Sequence, residues 1–423
     1  MEGYFRRRGC VCWKAKCTCG AETKKDCACG ASKKKIKKCT CGAKWSFTID
    51  GPDKPDGSRG QITRSGFDTR NDAETAATAI RYEVDQGTYI KESDITFEDF
   101  SKEWLVDYAV TNQVKKGTLR IRQKEINNLI PYLGHYAIKE ITKRMYQNAL
   151  NSLHAAGYAY NTMCGVNSTG KMVFRRAKEW ELIKGDPTES ARVPKTVKTV
   201  EQIESQDEIP KYLEKAELLK FLDAIKDYRK QNDYVIFRTL VYTGLRVGEL
   251  AALKDTDIMQ ITDEISITKT IYNPKSNVRM YDLETPKTES SIRKIVVDSD
   301  VMKEINHVIW LNKKEKLRYG PQYHDKGFIF TSPKYPGYPI LVKTIEDKMK
   351  QYLKLADLDT SLTPHSLRHT HTSLLAEAGV GLEEIMERLG HIDDEITRKI
   401  YLHVTKTMKK EAARKFSEFM SRP

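Results

Sequence analysis

Residues 363–370 read Thr-Pro-His-Ser-Leu-Arg-His-Thr, followed by Leu389-Gly390-His391 and then by TRKIYLHV, which contains Tyr401. His365 and Arg368 stand three apart, so on a helix they share one face and can address one ligand. A planar guanidinium fork matches the oxygens of a phosphate and stays charged at any relevant pH. Toward the N-terminus two further basic side chains occur in distinctive settings: Arg246 in TGLRVGEL, with Glu249 one turn later, and Lys287 in TPKTESSIR. Any one of these alone is ordinary, since such residues are usually solvated or packed. The set carries the argument.

Taken in order, Arg246, Lys287, His365 with Arg368, His391 and Tyr401 resemble the catalytic domain of the tyrosine recombinases, the phage-integrase family, over roughly residues 210–423. Breaking a phosphodiester without a metal needs a nucleophile, stabilisation of the developing phosphorane and a proton for the leaving oxygen. The resemblance distributes these tasks. It implies attack by Tyr401 to give a 3′-phosphotyrosyl link and a free 5′-hydroxyl, with His365 as base. It implies a clamp of Arg246 and Arg368, proton donation by Lys287 and a hydrogen bond from His391 to a non-bridging oxygen. Glu249 is expected to orient this shell. The expected function is a site-specific DNA recombinase that integrates and excises a mobile element, with no cofactor for catalysis. Two alternatives stay open: a type IB topoisomerase-like enzyme that relaxes DNA, and a non-catalytic DNA-binding regulator. The acids Asp393, Asp394 and Glu395 sit where a helix should start and suit its dipole better than a metal.

The fold class expected is a multidomain chain, mainly α with small β parts. Residues 210–423 form the α+β catalytic domain, with strand-like segments at 264–271 and 292–297 around a hairpin. After Tyr401, Met408, Ala412, Phe416 and Phe419 make an apolar stripe on a last helix that Thr405 can cap. The family resemblance implies exchange of this helix between protomers, in a homotetramer on DNA. Residues 187–209, rich in proline and polar residues, read as a linker. Residues 95–186 read as helical, with Phe97, Phe100, Trp104, Leu105 and Tyr108 forming a core seam; they resemble the core-binding domain. Residues 43–92 read as a strand at Trp45–Ile49, a turn, a strand at Gln61–Arg64, and a helix capped by Asn71 or Asp72. They resemble the three-stranded arm-type DNA-binding domain. Double-stranded DNA with core and arm sites is therefore the expected partner, together with accessory directionality and bending factors.

The chain has 423 residues, with 72 Lys+Arg against 58 Asp+Glu, a formal +14. Residues 1–50 hold thirteen of the basic residues and four acids, so +9 of that excess is N-terminal. The charge suggests an anionic partner but concerns mainly this one stretch. The same stretch carries Cys10, Cys12, Cys17, Cys19, Cys27, Cys29, Cys39 and Cys41 in four Cys-x-Cys pairs. Eight thiolates among lysines would fill two tetrahedral zinc sites, although the spacing is tighter than the usual Cys-x-x-Cys. A zinc-binding extension over 1–42 is favoured, with a disordered basic tail as the alternative. No apolar run is long enough to span a membrane, and the start lacks a signal-peptide pattern, so the cytoplasm of a bacterial host is expected.

Overall fold

The computed structural model describes residues 4–7, 43–52, 58–86, 89, 94–195, 211–227, 231–286, 288–390 and 394–405. The eight paired cysteines, Lys287, His391, most of the linker and the stripe after Thr405 lie outside these residues. The chain divides into two compact units, Met1–Val114 with Arg120–Lys195, and Thr196–Pro423 with Lys115–Leu119.

In the first unit a three-stranded antiparallel sheet takes the order β1 (Tyr4–Arg7), β2 (Trp45–Asp50), β3 (Gln61–Phe67), and α1 (Arg70–Asp85) packs on it. β1 comes from inside the stretch expected to be an N-terminal extension, so the sheet draws its outer strand from before residue 43, outside the expected bounds of the domain. The alternation of β2 puts Phe47 and Ile49 inward, where they meet Ile62, Ala73 and Ala77. The cap of α1 differs from the expected Asn71 or Asp72. Thr69 is the N-cap: its hydroxyl accepts from the Asp72 amide at 3.1 Å, and the Asp72 carboxylate accepts from the Thr69 amide at 3.1 Å. This reciprocal pair satisfies two helix-end donors at once, which a cap at either later residue would forgo.

The helices α2 (Phe97–Asn112), α3 (Lys116–Leu133), α4 (Lys143–Ala155) and α5 (Tyr160–Glu179) follow. Phe97, Phe100 and Trp104 are buried in their shared core, with Leu105 and Tyr108 half-buried against it. The aromatic seam is therefore packing. Gly170 lets the Tyr146 ring lie against α5, for a Cβ there would fall 2.1 Å from the hydroxyl.

The second unit is built on α6 (Lys215–Asp227), α7 (Gln231–Thr243), the short α8 (Val247–Ala251), α9 (Ser299–Tyr319), α10 (Val342–Leu355), α11 (Pro364–Glu377) and α12 (Leu382–Leu389). A further helix runs over 395–405. Phe221, Phe237 and Tyr352 meet edge to face in the main core. Two small sheets flank it: β4 (Ile258–Met259), β5 (Glu264–Ile267) and β8 (Arg293–Val296) in one, β6 (Thr270–Tyr272) and β7 (Asp282–Glu284) in the other. The strand expected over 264–271 is thus two strands of two sheets. The break falls at Thr268-Lys269, where the Lys269 ammonium turns to the buried Asp257 carboxylate at 2.5 and 2.7 Å.

Candidate active site

α7 ends at Gly244, whose φ of +63° only glycine adopts without strain. The space is closed as well: a Cβ would lie 2.6 Å from the His371 ring and 2.7 Å from Leu389. The chain then turns so that Arg246 becomes the N-cap of α8 and Glu249 its third residue. The Glu249 carboxylate accepts from the Arg246 amide at 3.0 Å and from its Nη1 at 2.8 Å. Glu249 is 2% exposed, whereas the Arg246 side chain is 31% exposed, so the carboxylate is the fixed partner and the guanidinium the accessible one.

α11 starts at Thr363 with Pro364 in its first turn, where a missing amide donor costs nothing. Arg368 is buried one turn in. Its Nη1 donates to the Gly244 carbonyl and its Nη2 to the Leu389 carbonyl, each at 2.6 Å. Burial, then the charges of Arg246 and Arg293, pull its pKa down to about 9, which leaves it charged at neutral pH. His365 reaches the surface. Partial burial, then Arg368 and Arg246, hold its pKa below the ordinary 6.5, with Asp394 opposing. Its ring meets His369 edge to face at 4.8 Å. Arg246, Glu249, His365 and Arg368 thus form one electrostatic cluster.

Asp394 opens the helix that carries Tyr401: its carboxylate accepts from the Thr397 amide at 3.0 Å and from the Thr397 hydroxyl at 2.5 Å. Tyr401 packs against Ala376, Ile385, Leu389 and Val404, a small cluster shared with α11 and α12. Four residues after Lys287 and one before His391, side chain and main chain meet: the Ser291 hydroxyl donates to the Gly390 carbonyl at 3.4 Å. Among the described residues no group of three or more His, Cys, Asp or Glu could hold a metal. Nor is any described helix long and apolar enough to cross a membrane.

Three neighbours, buried or half-buried, were not singled out from sequence as part of the site. His371 accepts from Arg388 Nε at 3.1 Å, and Arg388 also donates to the carbonyls of Val296 and Tyr242, each at 3.0 Å. Arg293 donates to Glu249 Oε2 at 3.0 Å, to the Ser291 carbonyl at 2.9 Å and to the Arg388 carbonyl at 2.9 Å. A signal for Arg293 exists in the sequence: it has the same strand parity as the buried Ile295 and Val297 and therefore faces inward.

Comparison with known proteins gives three family matches along the chain. Residues 211–408 match the phage integrase family, 96–154 the N-terminal SAM-like domain of phage integrases, and 31–84 an arm DNA-binding domain. The integrase of Staphylococcus phage L54a is 28% identical over 77% of this chain and 94% of its own length. The ICEBs1 integrase of Bacillus subtilis is 26% identical over 85% of this chain and 92% of its own. Among solved structures, the Tn1549 transposon integrase in complex with transposon right end DNA aligns with a TM-score of 0.57 at 22% identity, covering 75% of this chain and 99% of that one. A lambda integrase dimer bound to a core site aligns at 0.51 and 17% identity, over 85% and 92% of the two chains.

Proposed function

The chain belongs to the tyrosine recombinase (phage integrase) family, and we propose that this integrase cuts and rejoins DNA at specific sites through Tyr401. The Tyr401 oxygen attacks the scissile phosphorus, the bond to the 5′-oxygen breaks, and a 3′-phosphotyrosyl link remains. His365 takes the tyrosine proton, and Lys287 returns one to the leaving 5′-oxygen. Attack by another strand's 5′-hydroxyl reverses the sequence, so rejoining needs no nucleotide. The family's chemistry needs no catalytic cofactor.

The observation that carries this reading is the cluster of two arginines, one accessible and one buried, with a histidine whose pKa burial and those arginines hold below its ordinary value. Arg246 offers the accessible guanidinium and Arg368 a buried positive charge behind it, both favouring a phosphorane over a ground-state phosphate. A lowered imidazole pKa keeps His365 able to accept a proton. His391 is the expected further donor to a non-bridging oxygen.

Double-stranded DNA is the partner of this reading. Residues 43–92 and 95–186 would hold arm and core sites, and the 187–209 linker would join them to the catalytic domain. We assign the chain to the cytoplasm of a bacterial host and to a homotetramer on DNA, aided by bending and directionality factors. In that assembly the segment after Thr405 docks on a neighbouring copy. Support for an acceptor surface is a groove of about 860 Å³ beside β8 and α12, where Ile292, Val296, Leu375, Val380 and Met386 lie among the charged Lys294, Glu383, Glu384 and Glu387. The eight N-terminal cysteines would hold two structural zinc ions.

The test is covalent trapping on a nicked duplex that spans the junction of the element carrying the gene. Wild type should form a protein–DNA adduct that Tyr401→Phe does not. No adduct from the wild type on that duplex would refute the reading, and relaxation of supercoiled DNA without a site preference would favour a topoisomerase instead.

A further inference from the structure

We propose that Arg293 is a positioning residue for the strand-cleavage reaction: it takes up the charge of Glu249 and so leaves the Arg246 guanidinium its positive charge toward the scissile phosphate. The proposal rests on the reading of Arg246 given above. Its starting point is an unusual placement. Arg293 lies in β8 opposite Ile267, on the face that buries Ile265, Ile267 and Ile295, and its side chain is only 6% exposed. An inward position in such a strand normally holds an apolar side chain, because a buried guanidinium is costly unless its donors are matched.

The donors of Arg293 are matched in a directed way. Two nitrogens go to backbone carbonyls, of Ser291 and Arg388, and Nη2 goes to Glu249 Oε2 at 3.0 Å. The other oxygen of the same carboxylate receives Arg246 Nη1 at 2.8 Å. Glu249 therefore sits between two guanidiniums, one buried and one accessible. Burial alone would raise the Glu249 pKa, but the charge and hydrogen bond of Arg293, followed by those of Arg246, outweigh it and hold the carboxyl below its usual range. Arg293 is thus the larger partner.

The consequence is electrostatic. With Arg293 in place the three groups together carry one net positive charge, and it resides on the accessible member. Without Arg293 they carry none, and Glu249 remains as a buried anion whose hydrogen-bonded arginine is Arg246. That arginine would then be held as a counter-ion rather than presented to phosphate. Arg293 touches no substrate in this scheme; it acts through Glu249.

A purely structural role is the rival, since the carbonyl contacts tie β8 to the end of α12. The experiment separates the two by single-turnover cleavage of the nicked junction duplex, with melting temperatures recorded alongside. Arg293→Met should slow cleavage about 100-fold, the scale of one lost transition-state charge contact. Arg293→Lys keeps a cation beside Glu249 but loses the fork to the carbonyls, and should retain most of the rate. Adding Glu249→Gln to Arg293→Met removes the uncompensated anion and should recover part of the loss. Should Arg293→Met lose its fold, the double variant, which buries no unmatched charge, still reports on the proposal. Arg293→Lys as slow as Arg293→Met, or a double variant no faster than Arg293→Met, would overturn it. A wild type that forms no adduct would instead remove the recombinase reading itself, and with it the reaction that Arg293 is said to serve.

Discussion

His371 accepts a hydrogen bond from Arg388 on Nε2, so the neutral ring carries its proton on Nδ1, toward the Val241 carbonyl. Burial first, then the Arg388 charge, push its pKa down to about 3. In the unfolded chain the ring titrates near 6.5. Between those values the unfolded state takes up a proton that the folded state refuses, so stability rises with pH there. The contribution is fully present above about 6.5 and falls by about 1.4 kcal/mol per pH unit as pH drops below it. Urea unfolding at pH 7 and pH 5 should therefore show a drop that is about 2 kcal/mol smaller in His371→Gln; equal drops would show that this ring is not a source of acid sensitivity. At this scale the sequence pointed to chemically distinctive residue types, and the structure brings Arg246, His365 and Arg368 into one electrostatic cluster. The sequence was less legible for Arg293, whose inward parity is visible but whose partner, Glu249, is 44 residues away. Spacing along a strand does not reveal an ion pair closed by the tertiary fold.

Among the elements, the turn between α7 and α8 depends on one residue. Gly244→Ala would place a β-carbon at positive φ and against the His371 ring and Leu389. Both effects act together, and a loss of about 1–3 kcal/mol from backbone strain alone is expected, with further cost from displaced neighbours. Because the Gly244 carbonyl also holds Arg368, cleavage should fall by more than melting alone accounts for; a variant that melts early yet cleaves at the wild-type rate would contradict that link. The helical elements were the most legible, since an apolar seam such as Phe97, Phe100 and Trp104 repeats at helical spacing. Caps and short strands were less so. Thr69, Asn71 and Asp72 are all competent caps, and only the reciprocal hydrogen bonds select Thr69. Likewise, the apolar alternation of 264–271 continues through Lys269, where a buried carboxylate rather than local propensity redirects the chain.

For the whole molecule, the order of modules was legible because each has its own pattern, a short alternating sheet, an aromatic helical seam and a spaced set of basic residues. The outer strand at Tyr4–Arg7 was not, since four residues separated from the rest of their sheet by a cysteine-rich stretch carry no periodicity to read. The charge excess is likewise a property of position, with +9 of +14 in the first 50 residues. If that stretch is a metal-folded DNA-binding arm, elemental analysis of protein purified under reducing conditions should find about two zinc per chain, released by chelator. DNA affinity of the full chain should then fall more steeply with salt than that of a chain in which residues 8–42 are replaced by a short uncharged linker, which keeps the outer strand Tyr4–Arg7. Absence of metal would remove the zinc sites, and equal salt slopes would argue that the extension contacts something other than phosphate.

Arg368 has a further consequence. The two carbonyls it grips belong to Gly244 and Leu389, and each lies two residues before a proposed reacting side chain, Arg246 in one case and His391 in the other. The guanidinium is therefore a common datum from which two separate stretches of backbone are measured. A substitution there shifts the origin of both, so its kinetic cost cannot be assigned to one lost charge. Lysine carries its donors on one nitrogen and lacks the planar fork, so it would not keep the two carbonyls at the spacing that the guanidinium sets.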